Sequence, residues 1–365
     1  MPQVPTRHWS LLSYISVDND LSILGKEDVN EMCQVGATTD SHIAVQLDTR
    51  GNSGVQRIEI SKKDFTGKAY RQVLENLDET ASGQSKVLRS FLNWGINRCH
   101  AKNRILVLGG HGSGFKTLER DVLREELGTG LRIADLALTL AQEGLDKPDH
   151  KLGILGFDAC LMNLLEIAHK LVPFANYMIA SQAREPGNGW PYNVVLQALG
   201  EKLTPANLSD KIVKGYADYY LNLGKSNITL SVIDLQKVTD VMHALDELGA
   251  SLIHEDPSVI QSIKKQTPAY TYEDHVDIVS FCSLVQQNLR LAPQTRKTAR
   301  ELSSAASLAV TSNHTEGREV QGSHGLSFWF PTKPSVYDHV SRNRYKALVD
   351  PFTQWLEYLD FFHKE

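Results

Sequence analysis

The chain has 365 residues, 41% hydrophobic and 22% charged, with a formal net charge of -5. That is ordinary globular composition, long enough to bury a sizeable core as one large domain or two modest ones. The mildly acidic balance speaks against a nucleic-acid binder or a protein that docks on an anionic membrane, and four scattered cysteines (Cys33, Cys99, Cys160 and Cys282) with no CxxC pair read as reduced thiols.

The opening MPQVPTRHWSLLSYISV lacks the basic start, long apolar run and small-residue cleavage site of an export signal. Its LLSYIS run is too short to span a membrane. Together with the reduced cysteines, this predicts a cytoplasmic protein. WSLLSYISV (9–17) and HIAVQLDT (42–49) read as strands bounded by polar or turn residues. Between them, Asp18-Asn19-Asp20 offers Asp18 and Asp20 as weak Ca²⁺ ligands, although a solvated turn or helix cap is the simpler reading. Residues 85–101 read as a helix with Val87, Leu88, Phe91, Leu92 and Ile96 on one face.

Further apolar runs follow: RILVLGG (104–110), KLGILGF (151–157), YMIASQ (177–182), ITLSVIDL (228–235) and GLSFWFP (325–331). Near-continuous apolar strands with helices between them predict an α/β fold with a mostly parallel central sheet covered on both faces. The stretch 112–131 is charged and bounded by glycines, and reads as an exposed excursion. Residues 207–224 read as a helix, and 237–265 and 282–310 as two longer ones. PFTQWLEYLDFF (351–362) has the spacing of a docked C-terminal helix. No long linker or repeat divides the chain. The expectation is a single domain over 1–365, with a core to about residue 235. From 236 onward a helical elaboration contributes a late core strand at 325–331 and the C-terminal helix.

In open α/β sheets, ligands sit outside the carboxyl ends of the strands. RILVLGG ends in His111-Gly112-Ser113-Gly114, and KLGILGF in Asp158-Ala159-Cys160. If these strands are neighbours, a thiol nucleophile and a proton-handling imidazole face one crevice, as acyl transfer requires. The backbone N–H groups of Gly112 and Cys160 are candidates for stabilising the oxyanion. The alternative is a buried core cysteine and a loop histidine. Nucleotide loops fail on spacing, since Phe115 stands where a Walker lysine or a third Rossmann glycine would be needed. No H-x₃-H or HExxH occurs, which argues against catalytic zinc.

GGHGSGF, GFDACLMN and REPGNGWPY, following LLSYISVDNDL and followed by VDIVSF (276–281) and GLSFWFP, resemble the clostripain family of cysteine peptidases in the caspase-like group. The likeness spans essentially the whole chain. It implies a caspase-like α/β/α sandwich acting on protein or peptide substrates, with His111 as catalytic histidine and Cys160 as nucleophile. The histidine would sit across the scissile bond from a thiol of ordinary pKa, with no preformed ion pair. Asp158 matches the family's acidic residue in the S1 pocket, so the resemblance implies cleavage after Arg, or after Lys, since a buried carboxylate suits a guanidinium. A helix-capping role is the plainer alternative for Asp158. Asn188 occupies a place where some relatives carry a second acid, Ser181 is a further S1 candidate, and Glu185 is a candidate substitute for that acid, with a surface-loop glutamate the plainer reading. No third member of a triad is assigned.

The resemblance requires no cofactor, and Ca²⁺ enters only because some relatives need it. Family members are often zymogens cut between the two motifs. Here Arg124 is the first candidate within 112–132, with Arg120, Lys116 and Arg132 behind it, cut by the enzyme itself or by an upstream protease. A catalytically silent binding protein, or a transpeptidase or amidase on the same scaffold, are the alternatives.

Overall fold

Hydrophobic side chains alternate between two faces along the central strands, and both faces must therefore be covered. The computed structural model describes residues 6–51, 54–78, 81–114 and 130–364. The strands are β1 (Arg7–Val17), β2 (Ser41–Thr49), β3 (Val55–Ile60), β4 (Arg71–Leu77), β5 (Ala101–Gly109), β6 (Leu152–Asp158), β7 (Ala175–Ala180), β8 (Ile228–Asp234), β9 (His275–Asp277), β10 (Val310–Glu316) and β11 (Ser327–Trp329). Among the described residues, nine of them form one sheet in the order β10-β8-β7-β6-β5-β1-β2-β3-β4. The five central strands, β7 to β2, run parallel, and the strands flanking them are antiparallel.

Leu106 and Leu108 of β5 enter one buried cluster, and Ile105 and Val107 enter the other. The second cluster is closed by α1 (Ser22–Val35), and by α5 (Tyr192–Leu199) and α6 (Pro205–Asn222). The first is closed by α2 (Ser85–Arg98), α3 (Ile133–Gln142) and α4 (Leu165–Leu171). Helices α7 (Val238–Leu252), α8 (Pro257–Gln266), α9 (Ile278–Gln287), α10 (Pro293–Ala309), α11 (His339–Val349) and α12 (Gln354–Phe362) add to the same face. The result is the α/β/α sandwich with a mostly parallel centre that the sequence predicts, and the late helices form its elaboration. No helix among the described residues is long and apolar enough to cross a membrane.

Three expectations need correction. The span 237–265 is two helices, because Pro257 opens α8 behind an Asp256 cap that accepts from Ser258 N–H. The span 282–310 also divides, with α9 begun by an Asp277 cap and α10 by Pro293. The run 325–331 is no strand of the central sheet. Only Ser327–Trp329 is extended, paired with β9 in a separate two-stranded ribbon, while Phe328, Trp329 and Phe330 are fully buried against helices. The sheet position beside β8 belongs to β10, whose mixed polar sequence VTSNHTE conceals it.

Candidate active site

Gly109, the last residue of β5, pairs with Asp158, the last of β6, and Gly110 N–H donates to the Asp158 carbonyl at 3.1 Å. The two strands thus end together at one rim of the sheet. His111 lies two residues beyond the first, and Cys160 two residues beyond the second. Gly112 packs directly on the Cys160 backbone: a Cβ there would stand 2.2 Å from the Cys160 carbonyl oxygen and 3.0 Å from its nitrogen. Only glycine lets the two loops meet this closely. Leu161, immediately after the cysteine, has φ 66° and turns the chain sharply at the strand end.

The Cys160 sulfur accepts a hydrogen bond from Glu185 N–H at 3.3 Å. Burial raises the thiol pKa, while the Glu185 N–H and the charge of Arg184 pull it the other way. The sequence anticipated an ordinary thiol. Burial makes the thiolate scarcer still in the free protein.

His111 Nε2 is 2.8 Å from an Asp20 carboxylate oxygen, with side-chain exposures of 30% and 71%. The same contact is the main reason the Asp20 pKa is lowered. Asp20 follows β1, which pairs in parallel with β5, so strand order delivers its carboxylate to the histidine. Asp20 is thus engaged by an imidazole rather than by other acidic groups. Asn19 Oδ1 caps its turn by accepting from Leu21 N–H at 2.8 Å. Neither Asp18 nor Asp20 joins a metal-competent group, and among the described residues no cluster of three or more His, Cys, Asp or Glu is disposed to hold a metal ion.

A cavity of about 140 Å³ adjoins Cys160 and His111, and three carboxyl side chains line it: Asp28 from α1, Asp158 and Glu185. Asp158 is buried, with one oxygen accepting from Trp190 N–H and the other from the Tyr192 hydroxyl, both at 3.0 Å. Gly189, at φ 61°, leaves room for it, since a Cβ there would be 2.5 Å from Oδ1. Burial raises the Asp158 pKa to about 6, against the hydrogen bond from Tyr192. Asp28 is pushed up to about 9 by burial and then by the charge of Asp158. Burial and the Asp158 charge also hold the Glu185 carboxyl well above its usual range. Crowding of like charges in a desolvated space is the common cause.

These contacts revise several residue assignments. Asp158 caps no helix, since α4 begins at Leu165 without a side-chain cap. Glu185 is not a surface-loop glutamate: both carboxyl oxygens are shut off from solvent. Asn188 is exposed and does not line the cavity. Ser181 is fully buried, its hydroxyl held by Thr229 at 2.6 Å and by the Ala183 carbonyl, so it is a support and not a lining residue. Lys116, Arg120 and Arg124 lie outside the described residues. Arg132 is described, exposed, and paired with Asp135 at 2.6 Å just before α3. Asp20 as the partner of His111, and Asp28 as a cavity acid, are invisible in the sequence because a partner on a neighbouring strand, or a helix face turned into a cavity, needs the strand order to be seen.

A wider groove of about 1110 Å³ runs beside α2, away from the thiol, and its arginines are already paired: Arg57 with Glu75, Arg89 with Glu143 and Arg98 with Glu59. The chemistry is concentrated at the strand ends.

Comparison with known proteins identifies the family of the chain. The family model for clostripain, Peptidase C11, matches residues 13–363. Clostripain of Hathewaya histolytica is 21% identical, the match covering 71% of this chain and 59% of that protein, so the chain spans less than two thirds of that relative's length. An inactive zymogen C11 protease from Parabacteroides distasonis superimposes with a TM-score of 0.75 at 19% identity, covering 95% of this chain and 99% of that one. A secreted C11 cysteine protease from Bacteroides thetaiotaomicron, in complex with an irreversible peptide inhibitor, gives 0.73 at 21% identity over 97% and 99%. At such identities the structures establish a shared fold.

Proposed function

The chain belongs to the clostripain family, and on that premise we propose that it is a cysteine endopeptidase cleaving after basic residues, arginine in preference to lysine. The observation that carries this reading is the meeting of His111, Cys160 and three carboxyl groups around one small cavity at the rim of a parallel sheet.

As Cys160 attacks the scissile carbonyl its thiol proton passes to His111 Nδ1, and the tetrahedral intermediate collapses to a thioester, expelling the amine with that proton taken from His111. Water then hydrolyses the thioester and releases the thiol. With Nε2–H donated to Asp20, the neutral ring keeps its lone pair on Nδ1, the nitrogen left to move protons. A thiol raised by burial is consistent with deprotonation as substrate arrives. The backbone amides of Gly112 and Cys160 are the oxyanion donors in this scheme. Aliphatic Val17, Leu21 and Leu24 line the cavity for the stem of a basic side chain, and the carboxyl groups receive its head.

Activation by cleavage within 112–132 completes the proposal, with Arg124 the first site. Exposed Arg132 supports it by giving a basic P1 residue at the end of that segment. The test is a peptide library read by mass spectrometry, before and after limited proteolysis of the purified chain. Cuts after Arg and Lys that vanish in Cys160→Ala support the reading. Cuts without basic preference, or persisting in that variant, contradict it. Ligated product on adding an amine nucleophile would instead reassign the protein as a transpeptidase.

A further inference from the structure

The three carboxyl groups of the cavity are not equally free. Asp158 has spent an oxygen on each of two fixed donors, Trp190 N–H and the Tyr192 hydroxyl. Glu185 has both oxygens shut off from solvent and is engaged with the Asp158 carboxyl and the Trp190 side chain. Asp28 reaches the cavity from a different element, α1, and among the described residues its carboxyl makes no hydrogen bond. Its surroundings add no cation. Glu27 and Glu31 flank it on α1, Asp158 faces it from β6, and Tyr192 and Tyr219 face it from α5 and α6. Glu31 is itself occupied, accepting from Tyr192 N–H at 2.9 Å.

An unpartnered acid in a closing space is costly unless a donor arrives. A lysine ammonium is a compact point charge, whereas a guanidinium is a planar fork of five donors that can satisfy acceptors on two edges at once. One free carboxyl on α1, set across the cavity from the mutually engaged Asp158 and Glu185, gives the fork acceptors on two edges. We propose that Asp28, a residue of α1 outside the histidine and cysteine motifs, is a specificity-determining residue that makes this pocket select arginine over lysine. The proposal rests on the cavity being the P1 pocket. It also makes recognition proton-linked: crowding holds a proton on Asp28 in the empty pocket, and the incoming guanidinium displaces it to solvent.

The test uses the full chain, nicked if nicking proves necessary, on peptide amides that differ only in P1: arginine, lysine and citrulline, the neutral isostere of arginine. Wild type is expected to favour arginine over lysine by about tenfold, the worth of one charge-assisted hydrogen bond. In Asp28→Asn that ratio should fall to within about twofold, with the loss mainly in KM. The wild-type arginine-to-citrulline ratio of kcat/KM should climb as pH rises toward about 9, and in Asp28→Asn it should be flat there. Taking a ratio cancels the titration of Cys160, which both substrates share. Asp28→Leu, tested alongside, shows whether lost polarity rather than misfolding is responsible, and thermal unfolding checks both variants. Retention of the wild-type arginine-to-lysine ratio in folded Asp28→Asn and Asp28→Leu overturns the role of Asp28 while leaving the basic pocket intact. No wild-type preference for arginine over citrulline overturns the pocket reading, and this proposal with it.

Discussion

His111 and Asp20 stand at the carboxyl ends of adjacent parallel strands, and their side chains meet at 2.8 Å through Nε2 and a carboxylate oxygen. The acid is 71% exposed on its side chain, so the contact adds little to folding. Its consequence is orientation: it fixes the tautomer and aim of the imidazole. Asp20→Ala should therefore lower kcat by roughly tenfold to a hundredfold, a part of what acid–base catalysis supplies. KM and the unfolding temperature should hardly move, and Asp20→Asn should fall between. Wild-type kcat in Asp20→Ala would remove the histidine-orienting role.

The thiol supplies a second prediction. Its pKa is raised by burial, and the thiolate is the reactive form. Alkylation of Cys160 by iodoacetamide should be slow at pH 7 and rise about tenfold per pH unit into the alkaline range. A rate already at its plateau below pH 7 would mean a preformed thiolate, contrary to this geometry.

Gly112 is where the two motifs touch. Gly112→Ala places a methyl 2.2 Å from the Cys160 carbonyl oxygen, a backbone atom that cannot swing away. The loops must separate, at a cost of about 1–3 kcal/mol of stability. We expect kcat/KM to fall at least about a hundredfold, the usual order for losing an oxyanion donor. A fully active Gly112→Ala would show that the approach is incidental.

Glu166 makes a prediction about stability rather than catalysis. It is fully buried in α4, where one oxygen accepts from Trp329 N–H at 2.9 Å and ties α4 to β11. Burial raises its pKa from 4.5 to about 7, so folding favours the protonated form. Its contribution is complete below about pH 4.5 and drains away as pH rises through about 7, by an amount on the order of 3 kcal/mol. Glu166→Gln keeps an acceptor and cannot ionise. Its unfolding temperature should gain on wild type from pH 5 to about pH 7 and level off above that, and a constant difference over the lower range would contradict the assignment.

Much of the site is readable from residues alone. Apolar runs that stop at GGHG and at DAC mark strand ends, and a glycine after the histidine announces a close approach. What stays hidden is lateral order. Nothing in one sequence says that β1 lies beside β5, so the Asp20 partner of His111 cannot be seen. Asp28 sits between Glu27 and Val29 in an amphipathic helix, where a polar residue is normally solvated. Glu185 follows Arg184 in a Pro- and Gly-rich loop that looks exterior, yet its carboxyl is folded inward. β10 was concealed for the reverse reason, because an edge strand with polar side chains continues a helical pattern until tertiary pairing decides.

The central claim is that Cys160, served by His111, reacts with a substrate whose basic side chain fills the neighbouring cavity. A peptidyl acyloxymethyl ketone ending in arginine, incubated with the purified chain before and after limited proteolysis and mapped by mass spectrometry, tests it most directly. One adduct per chain on Cys160, abolished in Cys160→Ala, slowed at least about a hundredfold in His111→Ala and absent with a leucine-ended reagent, is the predicted result. Adduct on another residue, or equal labelling by the leucine reagent, would contradict it.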